Sequence, residues 1–196
     1  MNKIYVKGYV GNLGTKILIE KKSDELAKHF SKEYLHLLNK NIDDTLKGGE
    51  IPSLSMLENI IIDREKITKG GVLTALWKIC ERNKWGLTYN LRSIPILQGT
   101  IEISNFFDLN PYRLLTDNAE IIAVDDDKIV KDNTSYESYS NLSAIIEHMP
   151  DAFAEIGETT SAKKRVRIDG EVEAFLTKDY KDEIDKIIPK WTKMLS

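Results

Sequence analysis

The stretch that most strongly suggests chemistry runs from Ile67 to Trp77, with the sequence ITKGGVLTALW. Thr68 is placed to cap a helix, and the paired glycines Gly70 and Gly71 would let a ligand approach the backbone closely. A helix that begins here would direct its first N–H groups, including that of Val72, towards a phosphate or sulfate ion. The plain alternative is that Gly70 and Gly71 only form a tight turn before a buried helix, because a glycine pair alone is a weak signal.

A weaker candidate of the same kind follows the first predicted strand, Ile4–Val10. Gly11, Gly14 and Thr15 lie in a glycine-bearing turn before a short apolar run that predicts a helix. Backbone N–H groups in such a turn can bind an anion. The same turn serves equally well as a plain connection between a strand and a helix.

Residue types that bind metal ions or act as nucleophiles are sparse in this sequence. Cys80 is the only cysteine and falls inside the helix predicted after Gly71, where it is expected to be a core residue. His29 and His36 could share one helical face, but no further ligand follows at metal spacing. The acidic run Asp125–Asp127 is expected to be a solvated strand end. We therefore expect no metal or cofactor site formed by this chain alone.

Composition disfavours several function classes. The 196 residues carry a formal net charge of −3 with scattered lysines and arginines, so nucleic acid is not an expected partner. No apolar run approaches the roughly 18 residues of a membrane-spanning helix, and the expected location is the cytoplasm. A hydrophobic fraction of 41% and a charged fraction of 30% are typical of a globular protein, here expected to be one domain over residues 1–196.

The elements that must position these residues alternate irregularly along the chain. The helix predicted from Gly71 to about Asn83 carries one apolar stripe, which predicts packing against a core. The stripe consists of Val72, Ala75, Leu76, Ile79 and Cys80. Further strands are predicted at 85–91, 120–124 and 153–157, and further helices start at Ser23 and at the capping residue Ser31 and cover 52–61, 98–107, 139–149 and 179–194. Residues 163–175 predict a hairpin around Asp169-Gly170, with basic residues on the solvent face of an edge strand. This order predicts an α+β fold with a mixed β-sheet flanked by helices.

Several of these segments occur in the order seen in one known family. They are Val6–Thr15, Ile67–Trp77, Ile94-Pro95, Leu109–Leu115, Glu155–Glu158 and Arg165–Gly170. Together they resemble the C-terminal domain of the aminoimidazole ribonucleotide (AIR) synthetase superfamily, especially its synthetase-related and hydrogenase-maturation branch. The resemblance covers nearly the whole chain and implies an AIR synthetase C-terminal-like domain. In that family such a domain contributes a glycine-rich helix start to a cleft shared with an N-terminal domain, which dimerises and holds ATP with magnesium.

The sequence departs from the family pattern at several positions. Glu65 and Lys66 stand where the family commonly has His-Asp, so a residue that exchanges protons near neutral pH is replaced by a carboxylate. Asn118 ends a turn that the family tends to end in glycine; asparagine tolerates a left-handed conformation, so the turn is expected to survive without its ligand contact. By this resemblance the chain begins at the first strand of the second domain. It also ends in Ser196, not in the cysteine that the hydrogenase-maturation dehydratases use as a carrier.

These departures favour a free-standing, catalytically incomplete C-terminal domain with a binding, assembly or regulatory role. The alternative is a subunit of a split ATP-dependent enzyme, active only when a separately encoded domain supplies ATP and magnesium. A third interpretation is a module that retains a small phosphate-bearing ligand without the chemistry. The expected partner is a second copy of the chain or the missing N-terminal domain, because the face that packs on that domain should remain apolar.

Overall fold

A computed structural model of the protein describes residues 1–47, 59–125, 153–169, 172–189 and 191. Within these ranges the chain forms one mixed β-sheet of seven strands flanked by helices, which confirms the predicted α+β class. The strands are β1 (Asn2–Lys7), β2 (Ile61–Lys66), β3 (Gly86–Asn90), β4 (Glu120–Asp125), β5 (Phe153–Thr160), β6 (Arg165–Asp169) and β7 (Val172–Phe175). Their order across the sheet is β2-β4-β1-β5-β3-β6-β7. All neighbouring strands are antiparallel except β3 and β6, which run parallel.

Six α-helices surround this sheet in the described part of the chain. They are α1 (Asn12–Lys21), α2 (Ser23–Leu26), α3 (Lys32–Lys47), α4 (Gly71–Asn83), α5 (Gln98–Phe106) and α6 (Ile184–Ile187), with short 3₁₀ turns at Leu91–Ser93 and Pro111–Arg113. Ser31 accepts a hydrogen bond at its Oγ from the N–H of Tyr34, as predicted for a helix cap. None of the helices in these ranges has the length and apolar content needed to cross a bilayer.

Helix α4 packs against one face of the sheet and forms the larger of two hydrophobic clusters. Its whole predicted stripe is buried, Cys80 included, which confirms the amphipathic pattern. Ile4 and Val6 of β1 belong to the same cluster and are fully buried. The apolar side chains on one face of β1 therefore pack against the apolar stripe of α4. This packing fixes where the Gly70-Gly71 turn lies relative to the sheet.

The second hydrophobic cluster is built by helices. It joins Leu18 of α1, Leu26 of α2, Ile42 of α3 and Ile103 of α5, all of them fully buried. Leu114 belongs to it as well and its side chain lies against Gly14, so the cluster holds the start of α1 in place.

Three sequence predictions need correction. Ile61, predicted as the end of a helix, begins strand β2, whose ladder to β4 overrides the helical spacing. Strand β6 is paired on both sides, to β3 and to β7, so it is not an edge strand. The predicted C-terminal helix is described only as the short α6, since Ile188 already departs from helical geometry.

The basic residues before the hairpin also differ from the prediction. Lys163 and Lys164 are exposed, as expected, but the guanidinium of Arg165 lies over the Trp77 ring at 4.3 Å and donates to Glu81 at 2.9 Å. Arg165 therefore packs against α4 instead of facing solvent, because a guanidinium can stack on an indole and bind a carboxylate at once. The hairpin itself is confirmed by the β6–β7 pairing. The predicted helix at 139–149, most of the one at 52–61, and Asp126-Asp127 lie outside the described residues.

Candidate functional site

The turn before α4 is formed by two glycines with positive φ. Gly70 has φ 79° and Gly71 has φ 64°, a left-handed region that side-chain-bearing residues rarely adopt. Gly71 also lies directly against the 3₁₀ turn, where a Cβ would come within 2.8 Å of the Arg113 Cα atom and still closer to the Tyr112 carbonyl oxygen. Both the turn and the close packing therefore require glycine at this position.

The first amide of this turn already has a negatively charged partner inside the protein. The N–H of Gly70 donates to Oδ2 of Asp182 at 2.7 Å, and Asp182 is only 3% exposed. The other carboxylate oxygen of Asp182 accepts the N–H groups of Leu115 and Ile184, each at 3.1 Å. One carboxylate thus joins the start of α4, the segment after the 3₁₀ turn and the start of α6.

Burial raises the pKa of Asp182, and the backbone hydrogen bonds from Gly70, Ile184 and Leu115 oppose that rise. The neighbouring Asp185 contributes a smaller increase. Asp182 thus provides a carboxylate at the helix start, where the sequence predicted an external anion. Sequence reasoning missed Asp182 because it lies 112 residues from Gly70.

Thr68 and Val72, the other residues predicted to bind phosphate at the start of α4, differ in their exposure to solvent. The carbonyl of Thr68 accepts the N–H of Gly71 at 3.1 Å, and no side chain caps α4, so the predicted capping role of Thr68 is wrong. The Thr68 side chain is exposed, whereas Val72 is fully buried. An external phosphate at Gly70 would have to displace Asp182. The phosphate role of Thr68, Gly70, Gly71 and Val72 stays a prediction.

The second predicted anion site, at the start of α1, also has internal partners. The N–H of Gly11 donates to Oγ1 of Thr116 at 2.8 Å, and the N–H of Gly14 donates to the Leu115 carbonyl at 2.8 Å. Thr15 bonds back to the Gly11 carbonyl through both its N–H and its hydroxyl. In this structure the segment 114–116 occupies the donors that the sequence offered to a ligand.

Asn12 attaches the neighbouring turn to the same helix start. Its Oδ1 accepts the N–H of Asp117 at 3.0 Å, and its Nδ2 donates to the Asp117 carbonyl at 2.8 Å. Asn118 has φ 52°, which confirms the predicted left-handed residue at the end of this turn. Asn12 is fully buried and is a second positioning residue that sequence reasoning missed.

Thr68 and Asn118 both line an open cavity of about 330 Å³, which is called the cleft below. Its lining residues are Lys7, Leu46, Lys66, Ile67, Thr68, Asp117, Asn118, Ala119 and Glu120. Lys7 and Glu120 form an ion pair at 3.2 Å across β1 and β4. With two lysines and two acids, the cleft presents both charges to a ligand or a protein surface. Of the predicted phosphate residues, only Thr68 lines it.

Glu65, which stands where the family has histidine, does not line the cleft. Its carboxylate accepts from Arg82 at 2.7 Å, and Lys78 lies 4.0 Å away. Asp63 shares Arg82 at 2.8 Å and also accepts from Asn83. Burial acts to raise the pKa of Asp63, but these hydrogen bonds lower it overall. The two carboxylates thus attach β2 to the C-terminal half of α4, and only Lys66 of the replaced pair lies at the cleft.

No group of three His, Cys, Asp or Glu side chains in the described ranges is placed to hold a metal ion. These described residues therefore offer no set of ligands that fits a magnesium ion. Burial raises the pKa of the Cys80 thiol to about 11, with Arg165 opposing the rise, so Cys80 is a protonated core residue at neutral pH.

The comparisons with known proteins place this fold among structures of hydrogenase maturation and thiamine phosphate proteins. No protein-family model matches the sequence, and no curated protein matches it significantly. A crystal structure of the hydrogenase maturation protein HypE in complex with ATP is 17% identical with a TM-score of 0.64, covering 90% of this chain and 50% of that one. HypE in a HypE–HypF complex is 14% identical with the same TM-score, covering 91% and 53%. Thiamine-monophosphate kinase from Stenotrophomonas maltophilia K279a is 15% identical with a TM-score of 0.57, covering 81% and 47%.

These similarities show a shared fold. The chain spans about half the length of each structure that it matches.

Proposed function

We propose that this chain acts as a C-terminal AIR synthetase-like domain with a binding, assembly or regulatory role and without a complete catalytic site of its own. The proposal is supported by the different positions of the residues around the predicted helix start. Thr68 and Lys66 lie at the cleft, whereas Glu65 is held by Arg82 and the Gly70 amide by Asp182. The cleft is thus open to a partner, while Glu65 and the Gly70 amide are bonded within the fold.

The chemistry of the cleft supports a partner more than a small substrate. Its lining combines two lysines, two acids and the apolar side chains of Leu46 and Ile67, a mixture typical of the polar rim of a protein interface. HypE, which shares the fold, has been crystallised in a complex with HypF. The partner that we propose for this chain is a separately encoded AIR synthetase-like ATP-binding domain or a second copy of the chain.

The purified chain is expected to bind no ATP, with or without magnesium. The physical reason is that the described residues hold no cluster of carboxylates for the metal, and the Gly70 amide is already bonded to Asp182. Isothermal titration with ATP and magnesium chloride measures this directly. HypE, which has been crystallised with ATP, is the positive control. Saturable ATP binding, or magnesium-dependent ATP turnover by the folded chain, would contradict the proposal.

The alternative is a subunit of a split ATP-dependent enzyme, and the positive side chains of Lys7 and Lys66 at the cleft favour it. If it holds, turnover appears only when the chain is mixed with a separately produced ATP-binding domain. The variant Lys66→Ala should then reduce turnover at least tenfold, whereas Lys69→Ala, an exposed neighbour outside the cleft, should not. A mixture that stays inactive although the two proteins form a complex favours the first proposal.

We also propose that the chain self-associates when no ATP-binding domain is present. Large apolar side chains remain on the described surface, among them Leu37 at 56% exposed and Phe175 at 69% exposed. Burial of such side chains favours association. Light scattering should give about twice the 22.4 kDa of one chain, and a monomeric mass would count against self-association.

A further inference from the structure

A smaller cavity shares no lining residue with the cleft. It has a volume of about 190 Å³ and lies between α4, β3 and the β6–β7 hairpin. Two arginines, Arg113 and Arg167, line it together with Tyr89 and Asn110, and Leu73 and Phe175 provide apolar walls. Among the described residues that line it, none is acidic.

Arg113 brings a buried positive charge to this cavity. The residue is 8% exposed, and its guanidinium donates to the Asp179 carbonyl at 2.6 Å and to the Thr177 hydroxyl at 3.1 Å. Both acceptors are uncharged oxygen atoms, so these contacts orient the guanidinium without neutralising it. A buried cation of this kind is costly unless an anion is close by.

Arg167 brings the second positive charge. It lies beside Tyr89 in the parallel β3–β6 ladder and opposite Ala174 in the β6–β7 ladder. Its Nε atom is buried and has no hydrogen-bond partner within the described part of the chain. Buried N–H donors in folded proteins are nearly always paired, so an unpaired one indicates a missing acceptor.

Both arginines line the cavity together with Tyr89. Burial raises the pKa of Tyr89 to about 12, while the positive charges of Arg167 and Arg113 act in the opposite direction. The nearby carboxylate of Asp169 lies 2.7 Å from Nε of the exposed Arg92 and does not line the cavity. Two cations thus face a cavity whose described lining offers no carboxylate.

We propose that this cavity binds a small anion through the guanidinium groups of Arg113 and Arg167, the ligand being a phosphate or carboxylate group that is free or carried by a small molecule. Arginine matches such groups because its N–H donors form a planar fork that two oxygen atoms can accept. The volume is below the roughly 300 to 1,000 Å³ of pockets that hold drug-sized ligands, so the cavity is too small to enclose a whole nucleotide. This inference is independent of the proposed role of the cleft.

Calorimetric titration of the purified chain with inorganic phosphate, phosphoserine and acetate tests the proposal. At least one of the three should bind saturably, and the preferred one tells whether phosphate or carboxylate is recognised and whether a carrier contributes. Arg167→Ala should weaken that binding at least tenfold, and Arg167→Lys should fall between it and the unchanged protein because lysine keeps the charge without the fork. Lys163→Ala removes an exposed cation outside the cavity and should leave the affinity unchanged.

Thermal unfolding of each variant shows that it is folded before titration, and Arg167→Lys retains the test if Arg167→Ala unfolds. Binding that is equal in the unchanged protein, Arg167→Ala and Arg167→Lys would overturn the proposal. If none of the three anions binds saturably up to about 10 mM, the proposal is also overturned, because binding weaker than this does not indicate a specific site.

Discussion

Replacing Asp182 with alanine is expected to lower the free energy of unfolding by about 3 to 5 kcal/mol. The carboxylate accepts three backbone N–H groups, from Gly70, Leu115 and Ile184. Alanine would leave these donors in a site that is 3% exposed, where water replaces the lost acceptor poorly. Urea unfolding followed by circular dichroism measures the change.

Two further variants show whether the loss of stability comes from removing the carboxylate hydrogen bonds at Asp182. Asp182→Asn keeps an oxygen for Leu115 and Ile184 but turns an amide nitrogen towards the Gly70 N–H, so its loss should be smaller than that of alanine. Asp44→Ala, an exposed acid on α3, should change the free energy of unfolding by less than about 0.5 kcal/mol. A loss for Asp182→Ala no larger than that for Asp44→Ala would contradict this account of the α4 start.

Titration of Asp182 should make the free energy of unfolding depend on pH in a defined direction. The folded pKa of Asp182 lies above its ordinary value of 3.8, so the folded state binds this proton more tightly than the unfolded state. Protonation of Asp182 therefore stabilises the folded state fully below pH 3.8, and this proton-linked contribution is lost as the pH rises through the folded pKa, while the three backbone hydrogen bonds to the carboxyl group remain. Asp182→Asn lacks this titration and should show a flatter profile over that window.

Gly71→Ala is expected to destabilise the protein by about 3 to 5 kcal/mol, because it combines backbone strain with overpacking. Its φ of 64° is unfavourable for alanine, and the new Cβ would meet backbone atoms of Tyr112 and Arg113 that cannot rotate away. Thermal or urea unfolding measures the loss. The same substitution should also disturb the cavity lined by Arg113 and Arg167, since Gly71 packs against Arg113.

Gly70→Ala is the matched comparison. It has a similar φ of 79°, but the nearest atom to its Cβ is the side-chain hydroxyl of Thr74, which could move at the cost of its hydrogen bond to the Asp179 carbonyl, whereas the backbone atoms at Gly71 could not. The cost should therefore be smaller than at Gly71. Equal stability of Gly71→Ala and the unchanged protein would show that the glycine pair is not required by the fold.

The features that the sequence predicted well are those encoded within a few turns of chain. The stripe of α4, the cap at Ser31 and the left-handed Asn118 each depend on neighbouring residues, and the structure has all three. The irregular alternation of predicted strands and helices, with a late hairpin, was enough to predict the α+β class.

The features that it missed depend on contacts far apart in the chain. Asp182 is separated from Gly70 by 112 residues, and Arg167 reaches its cavity only because β6 lies parallel to β3. Strand β2 was overlooked because its charged residues resemble the exposed side of a helix; their partners, Arg82 and Asn83, lie on α4. No local pattern indicates which distant residue will match a given charge.

We infer that Asp182 occupies the Gly70 amide at the start of α4, so that an external phosphate would reach Gly70 and Gly71 only by displacing this carboxylate. Titration of ¹⁵N-labelled Arg167→Ala protein with inorganic phosphate tests it most directly, because every backbone amide is observed separately and the substitution weakens the separate cavity beside Arg113, on which Gly71 packs. The account predicts that the Gly70 and Gly71 amide resonances remain in place across the whole titration. Saturable movement of these two resonances would contradict it, since phosphate would then have displaced the carboxylate of Asp182.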